Sequence, residues 1–299
     1  MRRSGLTVAA SIVASAALVV VLISKWDELE AGITGAAAGV IALAVALQVV
    51  ALVSRSEAWR VCVHASGGTV SRRKLYRASS FGCVGQLLNS QLGTAARITA
   101  LRRTAPEQTP HVPSLIAAEL PILFVEAALA ALTSFTLVGP LGLPWWTPIV
   151  CVVVVGGVGL AFRSIAAAHA RWLRKGLSVL RSQKGSVRLV GFVLIAVFAQ
   201  IARNWLMLHA VGVDASLFDA IAVLIAVVSL GQLPFGLSVG AAASVLILGP
   251  QGVAAATAAG VLLTATGTVG GLAFATWAAL DLLAVRWLRP MPVPATSPA

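Results

Sequence analysis

Apolar residues run along most of this chain in blocks of about 20, which polar or basic segments separate. Because an α-helix needs about 20 apolar residues to cross the ~30 Å hydrocarbon core of a bilayer, each block predicts a membrane-spanning helix. The seven clear blocks are residues 5–24, 33–53, 114–138, 145–162, 189–210, 251–267 and 269–287. The pattern therefore predicts an all-α integral membrane protein.

Two further segments, at about residues 75–97 and 217–249, are apolar but are interrupted by Gly, Pro, Gln or Asn. Irregular backbone at membrane depth occurs only where protein or a water-filled cavity satisfies its polar groups. We therefore expect re-entrant hairpins or broken helices that line a cavity, with a kinked pair of ordinary spans as the alternative. If the second segment crosses once, the total rises from seven to eight helices.

The interrupted segments end two stretches of sequence that resemble each other. Both stretches contain Trp, His, Gly and Ser in this order, followed by an interrupted segment that begins Gly-Gln-Leu. The first has Trp59, His64, Gly67 and Ser71 before GQLLNSQLG at 85–93, and the second has Trp205, His209, Gly212 and Ser216 before GQLPFGLSVG at 231–240. Paired interrupted segments in corresponding halves are typical of transporters with a site near the bilayer midplane. Chance recurrence in so apolar a chain is the alternative.

This internal repeat also predicts how the chain is organised. We expect one polytopic domain at 1–289, with repeat A at about 33–162 and repeat B at about 189–287, and a disordered Pro-rich tail at 290–299.

Composition and charge support a membrane protein and indicate which loops face the cytoplasm. Of the 299 residues, 59% are hydrophobic and 11% are charged, whereas soluble domains have about 25% charged residues. The net charge is +12, and its Lys and Arg residues cluster at 2–3, 55–77, 97–103 and 163–188. Such clusters are typical of cytoplasmic loops, so we expect a multi-pass protein of the cell membrane and no nucleic-acid partner.

The same clusters orient the two repeats. The helix that leads into residues 55–77 enters the cytoplasm, and the helix that leaves 163–188 ends outside, near Asp214 and Asp219. The repeats then have inverted topology, as alternating-access transporters use. Arg286 and Arg289 indicate a cytoplasmic C-terminus, which requires one more crossing.

Ionisable residues inside the predicted spans are the candidate site, because each costs about 2.5–3.5 kcal/mol to insert. Arg97 follows the first interrupted segment, Arg203 lies inside 189–210, and Glu119 and Glu126 share one face of 114–138. We predict that both arginines bind an anionic headgroup through bidentate hydrogen bonds. The glutamates would act as counter-charges or proton relays; alternatively, one of them pairs with Arg203 and locks the helices together.

Four amides complete the predicted substrate site: Gln86, Asn89, Gln91 and Gln232. They either line the cavity or bond one helix to another. The histidines lack metal-ligand spacing, the three cysteines are scattered, and no nucleotide-binding fingerprint is present. We therefore predict no catalytic residue, metal, cofactor or enzymatic activity.

Several sequence features together resemble a known family. Arg55, Trp59 and Arg60 precede a turn at Gly67, the segment NSQLGTAAR leads to Arg97, and a helix carries Glu119. Trp205, Leu233-Pro234, Leu248-Gly249 and Gly252-Val253 follow in the second half. Over about residues 33–285 the chain resembles the flippase-like transmembrane domain of lysylphosphatidylglycerol synthases. The resemblance implies movement of lipids, or of lipid-linked headgroups, between leaflets.

The chain also departs from the pattern of that family. Ala241–Ala243 stand where a glutamate is expected, and Leu120 and Leu123 stand near an expected arginine and acid, for which we expect Glu126 to substitute. The soluble aminoacyl-transfer domain is missing, so we expect no aminoacylation of lipid.

The function predicted first is translocation of an anionic lipid or polyprenyl-phosphate-linked headgroup. The alternative is a non-transporting membrane partner that holds an envelope lipid or glycosyl-transfer enzyme. An intramembrane lipid transferase is a third interpretation. Polar residues at membrane depth distinguish the first two, because a scaffold has no need for them.

Overall fold

The computed structural model describes residues 37–88, 90–168, 171–230, 239–249 and 252–287. Within these ranges the chain is helical and has no strand, which confirms the predicted all-α class. The helices are α1 Ala38–Ala65, α2 Arg72–Leu88, α3 Ser90–Thr104, α4 Val112–Ala117, α5 Leu120–Thr133, α6 Thr147–Ala168, α7 Arg171–Gly176, α8 Gln183–Ala210, α9 Leu217–Leu230, α10 Val239–Leu248 and α11 Val253–Trp287. Short 3₁₀ turns occupy Ser134–Leu137 and Leu177–Arg181. The predicted span at 5–24 and the tail at 290–299 lie outside the described residues.

Four helical segments of the described chain are long and apolar enough to span a membrane. They are Ala38–Ala65, Val112–Leu137, Gln183–Ala210 and Ala255–Val285. Two shorter apolar helices lie at Thr147–Phe162 and Leu217–Leu230. The structure therefore agrees with an integral membrane protein, although the boundaries differ from those of the hydropathy blocks. In particular, α1 continues past residue 53 through the polar residues up to Ala65.

The region predicted to hold two spans, at 251–267 and 269–287, forms the single helix α11. Gly267 and Gly270, beside the predicted boundary, lie within this helix at positions where neighbouring side chains approach closely. A Cβ on Gly267 would lie 3.3 Å from Arg203 Nη1, and one on Gly270 would lie 2.6 Å from Gln48 Cγ. Glycine weakens an isolated helix by about 0.5–1 kcal/mol relative to alanine, and this close packing offsets that cost.

Helices α1 and α8 pack against each other as an antiparallel pair at the centre of the fold. Along α1, Ala44 packs in a cluster with Met207 and Leu208, Ala51 with Ala196 and Ala199, and Val63 with Leu189 and Val193. Residue numbers thus rise along one helix as they fall along the other. Small residues at the crossing allow the two backbones to approach closely, as is typical between membrane helices.

Two hydrophobic clusters lie at opposite ends of this pair. One contains Trp59 and residues of α2, α3, α4 and α5, together with Leu189 from the first part of α8. The other contains residues of α9, α10 and α11, together with Ala44 from the first part of α1. Each cluster is therefore built mainly by one half of the chain and is completed by a helix of the other half.

The ends of α1 and α8 are equivalent in detail. Both bounds of α8, 183 and 210, exceed those of α1, 38 and 65, by 145 residues. Gly67 and Gly212 have φ of +97° and +76°, and each donates its backbone N–H to a histidine carbonyl, of His64 or His209, at 3.0 Å. The next N–H bonds back five residues in both copies, which makes both ends Schellman motifs. The two helix ends therefore have the same backbone geometry.

Helices α2 and α3 form an antiparallel hairpin with glycines between its arms. A Cβ on Gly85 would lie 3.0 Å from Gly93 Cα, and one on Gly82 would lie 3.2 Å from Gly93 O. Residue 89, between α2 and α3 in the sequence, and residues 231–238, in the corresponding part of the second half, lie outside the described residues. That these segments are re-entrant, and that 85–93 approaches 231–240, stay predictions.

The C-terminal end of α11 lies beside the start of α2. Asp281 of α11 accepts hydrogen bonds from Arg73 and from Arg77, the latter with Nε to Oδ2 at 2.5 Å. This contact places the end of α11 at the same end of the molecule as the basic segment 66–77. A single crossing by α11 therefore suffices to bring the chain back to that end.

Candidate functional site

Arg97 is held between an aromatic ring and a carboxylate. It lies on α3 with 9% of its surface exposed, and its guanidinium carbon lies 4.3 Å from the centre of the Trp59 ring. Its Nη2 donates to Glu119 Oε1. Gly82 on the opposite arm of the hairpin makes room for this side chain, because a Cβ there would lie 3.1 Å from Arg97 Cβ. Arg97 is thus a buried cation with a counter-charge and a cation–π contact.

Glu119 lies at an interruption between α4 and α5. Pro121 has no backbone N–H, so it cannot donate the regular helical hydrogen bond to the carbonyl of Ala117. The Glu119 carbonyl accepts hydrogen bonds from the N–H groups of Ile122 and Leu123, both at 3.1 Å, which begin α5. The sequence therefore breaks the span where its carboxylate meets Arg97.

Glu126 lies two turns further along and has a different partner. Its Oε2 accepts a hydrogen bond from Arg55 Nη2 at 3.0 Å, and this pair is more exposed than the Arg97–Glu119 pair. Arg55 belongs to α1, so Glu126 pairs with the central helix, whereas Glu119 pairs with the α2–α3 hairpin. The predicted alternative, in which one of them pairs with Arg203, is not the arrangement in the structure.

Arg203 lies on α8 with 8% of its surface exposed. Its Nη1 donates to Gln48 Oε1 of α1, and its Nη2 has a long contact of 3.5 Å with Asn204 Oδ1. Its Nε has no hydrogen-bond partner. None of the carboxylates in the described ranges forms an ion pair with Arg203. This buried cation therefore has amide partners instead of a counter-ion.

The two arginines contact α1 at different heights. Arg97 lies against Trp59 and Arg203 against Gln48, and these contact residues are 11 positions apart, about 16 Å along a helix axis. The contacts therefore define two separate cationic positions, one in each half of the central helix pair.

Of the four predicted amides, Gln86 alone has a side chain within the described part of the structure. Gln86 is exposed on α2, with its aliphatic part against Gly93. The side chains of Asn89, Gln91 and Gln232 lie outside the described part of the structure, so their proposed roles stay predictions.

Two polar residues of this region were missed by the sequence reasoning. Gln48 was overlooked because one amide in an apolar block carries no distinctive pattern. Glu57 is buried and accepts hydrogen bonds from Arg60 at 2.8 Å, Arg72 at 2.5 Å and Tyr76. Its spacing of three residues from Arg60 is a helical ion-pair signal that could have revealed it. The hydrogen bonds that Arg72 donates to Tyr76 and Glu57 raise the pKa of its guanidinium, so Arg72 keeps its charge.

Comparison with known proteins identifies a family for the chain. Among the described residues, no three His, Cys, Asp or Glu side chains are grouped as a metal site. No curated protein and no solved structure matches the chain significantly. A family model, that of the lysylphosphatidylglycerol synthase TM region, matches residues 8–274. Since this match covers most of the 299 residues, the chain belongs to the lysylphosphatidylglycerol synthase transmembrane family.

Proposed function

We propose that this protein translocates an anionic lipid, or a lipid-linked anionic headgroup, between the two leaflets of the membrane. Its family is one of membrane domains linked to lipid-related, flippase-like function. The observation that carries the proposal is Arg203, a buried arginine without a carboxylate partner among the described residues and with an unpartnered Nε.

An uncompensated cation at this depth is costly unless a ligand compensates it. Breaking a buried ion pair by removing one partner costs about 3–5 kcal/mol, since it leaves one charge unpaired. The Gln48 oxygen offers a dipole but no negative charge. A phosphate group would supply that charge and accept two parallel hydrogen bonds from the guanidinium. Arg203 is therefore suited to a transient anionic ligand.

Arg97 offers a second position through exchange of partners. A phosphate that reaches Arg97 can replace the Glu119 carboxylate, while the Trp59 ring keeps the guanidinium in place. Because the two arginines contact α1 about 16 Å apart, a headgroup would occupy them in succession. Each position would serve one leaflet.

The arrangement of the two halves supports alternation between these positions. Helices α1 and α8 have the same length, equivalent C-terminal caps and opposite directions. Inverted repeats require this relation between corresponding helices, and alternating access is their common mechanism. We infer that repeat A surrounds Arg97 and that repeat B surrounds Arg203.

Transport of a fluorescent phosphatidylglycerol in vesicles reconstituted with the purified protein tests the proposal. We expect Arg203→Gln and Arg203→Lys both to lower transport per folded protein by about ten- to a hundred-fold, as loss of one charge-assisted hydrogen bond costs about 1.5–3 kcal/mol. The lysine variant is informative because it keeps the positive charge but loses the planar guanidinium that can donate two parallel hydrogen bonds. Arg102→Gln, at an exposed arginine of α3, is the matched control and should transport normally.

Normal transport by both Arg203 variants would contradict the proposal. Absence of transport by the unmodified protein would instead favour a second function, that of a non-transporting membrane partner for an envelope enzyme. Ion pairs that join separate helices, such as Arg55–Glu126 and Arg77–Asp281, favour that candidate because they stabilise a fixed arrangement. A scaffold would show no transport in the unmodified protein, whereas a translocator would.

A further inference from the structure

A cavity of about 470 Å³ opens between the end of α1 and the start of α8. Its lining includes Arg60 and His64 from α1, and Lys184 and Arg188 from α8, with Ser178 and Ser182 between them. The cavity lies at the end of two antiparallel spans, close to the membrane surface. It is separate from the contacts of Arg97 and Arg203.

The cations of this cavity are only partly compensated. Glu57 pairs with Arg60 at 2.6 Å, while no carboxylate of the described residues pairs with Lys184 or Arg188. Ser182 caps α8, with its Oγ accepting from the Gly185 N–H at 3.3 Å. Two cations beside the start of a 28-residue helix produce a positive potential that favours an anion.

An exposed apolar stripe on α8 leads away from the cavity toward the middle of the span. Val187, Ile195 and Phe198 are 66%, 49% and 64% exposed. With Lys184 and Gly191 they recur at intervals of three or four residues and so share one helix face. Nothing lies within 4 Å of the position of a Cβ on Gly191. The stripe offers an acyl chain an unobstructed path that begins beside the two cations.

We propose that this cavity is a binding site for the phosphate headgroup of an anionic phospholipid, whose acyl chain lies along the exposed stripe of α8. Arg188 provides a planar fork for two phosphate oxygens, and Lys184 provides a point charge. The stripe decides between a lipid and a soluble phosphate, because a soluble anion gains nothing from an apolar surface beside its site. The site does not rest on the proposed transport, since it is defined by binding alone.

Binding of fluorescent phosphatidylglycerol to the purified full chain in non-ionic detergent tests the assignment. We expect Lys184→Gln combined with Arg188→Gln to weaken binding about tenfold or more. The control combines Lys175→Gln with Arg181→Gln, which removes two exposed charges from the same membrane-proximal segment but none from the cavity lining. The control should change binding less than threefold. Both residues of the test variant are exposed, so we expect both proteins to elute from gel filtration as the unmodified chain does.

Inorganic phosphate and glycerol phosphate are the competitors that identify the source of the anion. We expect neither to displace the lipid at a hundredfold excess. Displacement by either would reassign the cavity to soluble phosphates and overturn the lipid assignment. If lipid binding weakens equally in the test and control variants, the effect is one of general surface charge. If lipid binding is unchanged in the test variant, the lipid does not bind in the cavity. Either outcome overturns the proposal. Loss of transport in Arg203→Gln with unchanged lipid binding at this cavity would keep the two proposals distinct.

Discussion

At the scale of single residues, two buried arginines differ in how their charge is compensated. Arg97 has the carboxylate of Glu119 and the ring of Trp59, whereas Arg203 has the amide of Gln48. Removal of the arginine therefore has different consequences at the two positions. Removal of Arg97 leaves the Glu119 carboxylate unpaired, whereas removal of Arg203 leaves only the Gln48 amide without this partner.

The Arg97–Glu119 pair can be tested by charge removal in two steps. We expect Arg97→Gln to reduce the free energy of unfolding by about 3–5 kcal/mol, because it leaves the Glu119 carboxylate buried and unpaired. The double variant with Arg97→Gln and Glu119→Gln should regain most of the lost stability but should not regain transport. Glu119→Gln alone should cost less, since Trp59 still compensates the guanidinium. Thermal unfolding and vesicle transport measure the two effects, and a double variant as unstable as Arg97→Gln would rule out the charge explanation.

At the scale of helices, glycines decide which elements approach each other. The arms of the α2–α3 hairpin meet at Gly82, Gly85 and Gly93, and α10 meets α11 where Gly240 lies against Gly260. In both places backbone atoms of one helix occupy the position of a side chain on the other. The three glycines of the hairpin therefore set the distance between α2 and α3, and with it the position of Arg97.

Gly93→Ala tests this role. Its Cβ would lie 2.9 Å from Gly82 O and would collide with the Gln86 side chain, so the arms must separate. We expect a loss of about 1–3 kcal/mol in stability and reduced transport. Gly157→Ala in α6 is the control, because open space surrounds that position, and a helical Gly→Ala change there should stabilise by about 0.5–1 kcal/mol. Equal melting temperatures for the two variants would mean that the hairpin does not need close contact.

At the scale of the whole molecule, the antiparallel central pair separates two helix ends. The cap at Gly67 and the cap at Gly212 lie at opposite ends of the α1–α8 pair. The start of α8 lies with the first cap, since Leu189 and Val63 share one cluster. We expect the first cap to face the cytoplasm and the second to face the outside, because the basic residues concentrate at the first cap and Asp214 lies near the second.

Cysteine labelling tests this topology. In a background without Cys62, Cys83 and Cys151, single cysteines replace the exposed residues Thr69, Lys184 and Asp214. We expect membrane-impermeant maleimide to label Thr69→Cys and Lys184→Cys from the cytoplasmic side and Asp214→Cys from the outside. Labelling of Thr69→Cys and Asp214→Cys from one side would contradict the inverted arrangement.

The sequence determined the membrane class and the all-helical class, because transfer of apolar side chains into lipid depends on local composition. The prediction of two spans at 251–267 and 269–287 was wrong, because α11 continues through residue 268 as one helix. Hydropathy measures burial in lipid and not helix continuity, so it also ended α1 too early.

Only the tertiary structure decided which charges meet. The partners are distant in sequence: Arg97 and Glu119 by 22 residues, Arg55 and Glu126 by 71, and Arg203 and Gln48 by 155. The sequence identified Arg97, Arg203, Glu119 and Glu126 because ionisable groups in spans are costly wherever they lie. Their pairing depends on helix directions and crossing heights, which α1 and α8 fix by packing small residues against each other. The sequence shows which charges are costly to place in the membrane, whereas only the tertiary structure shows which residue is the partner of each charge.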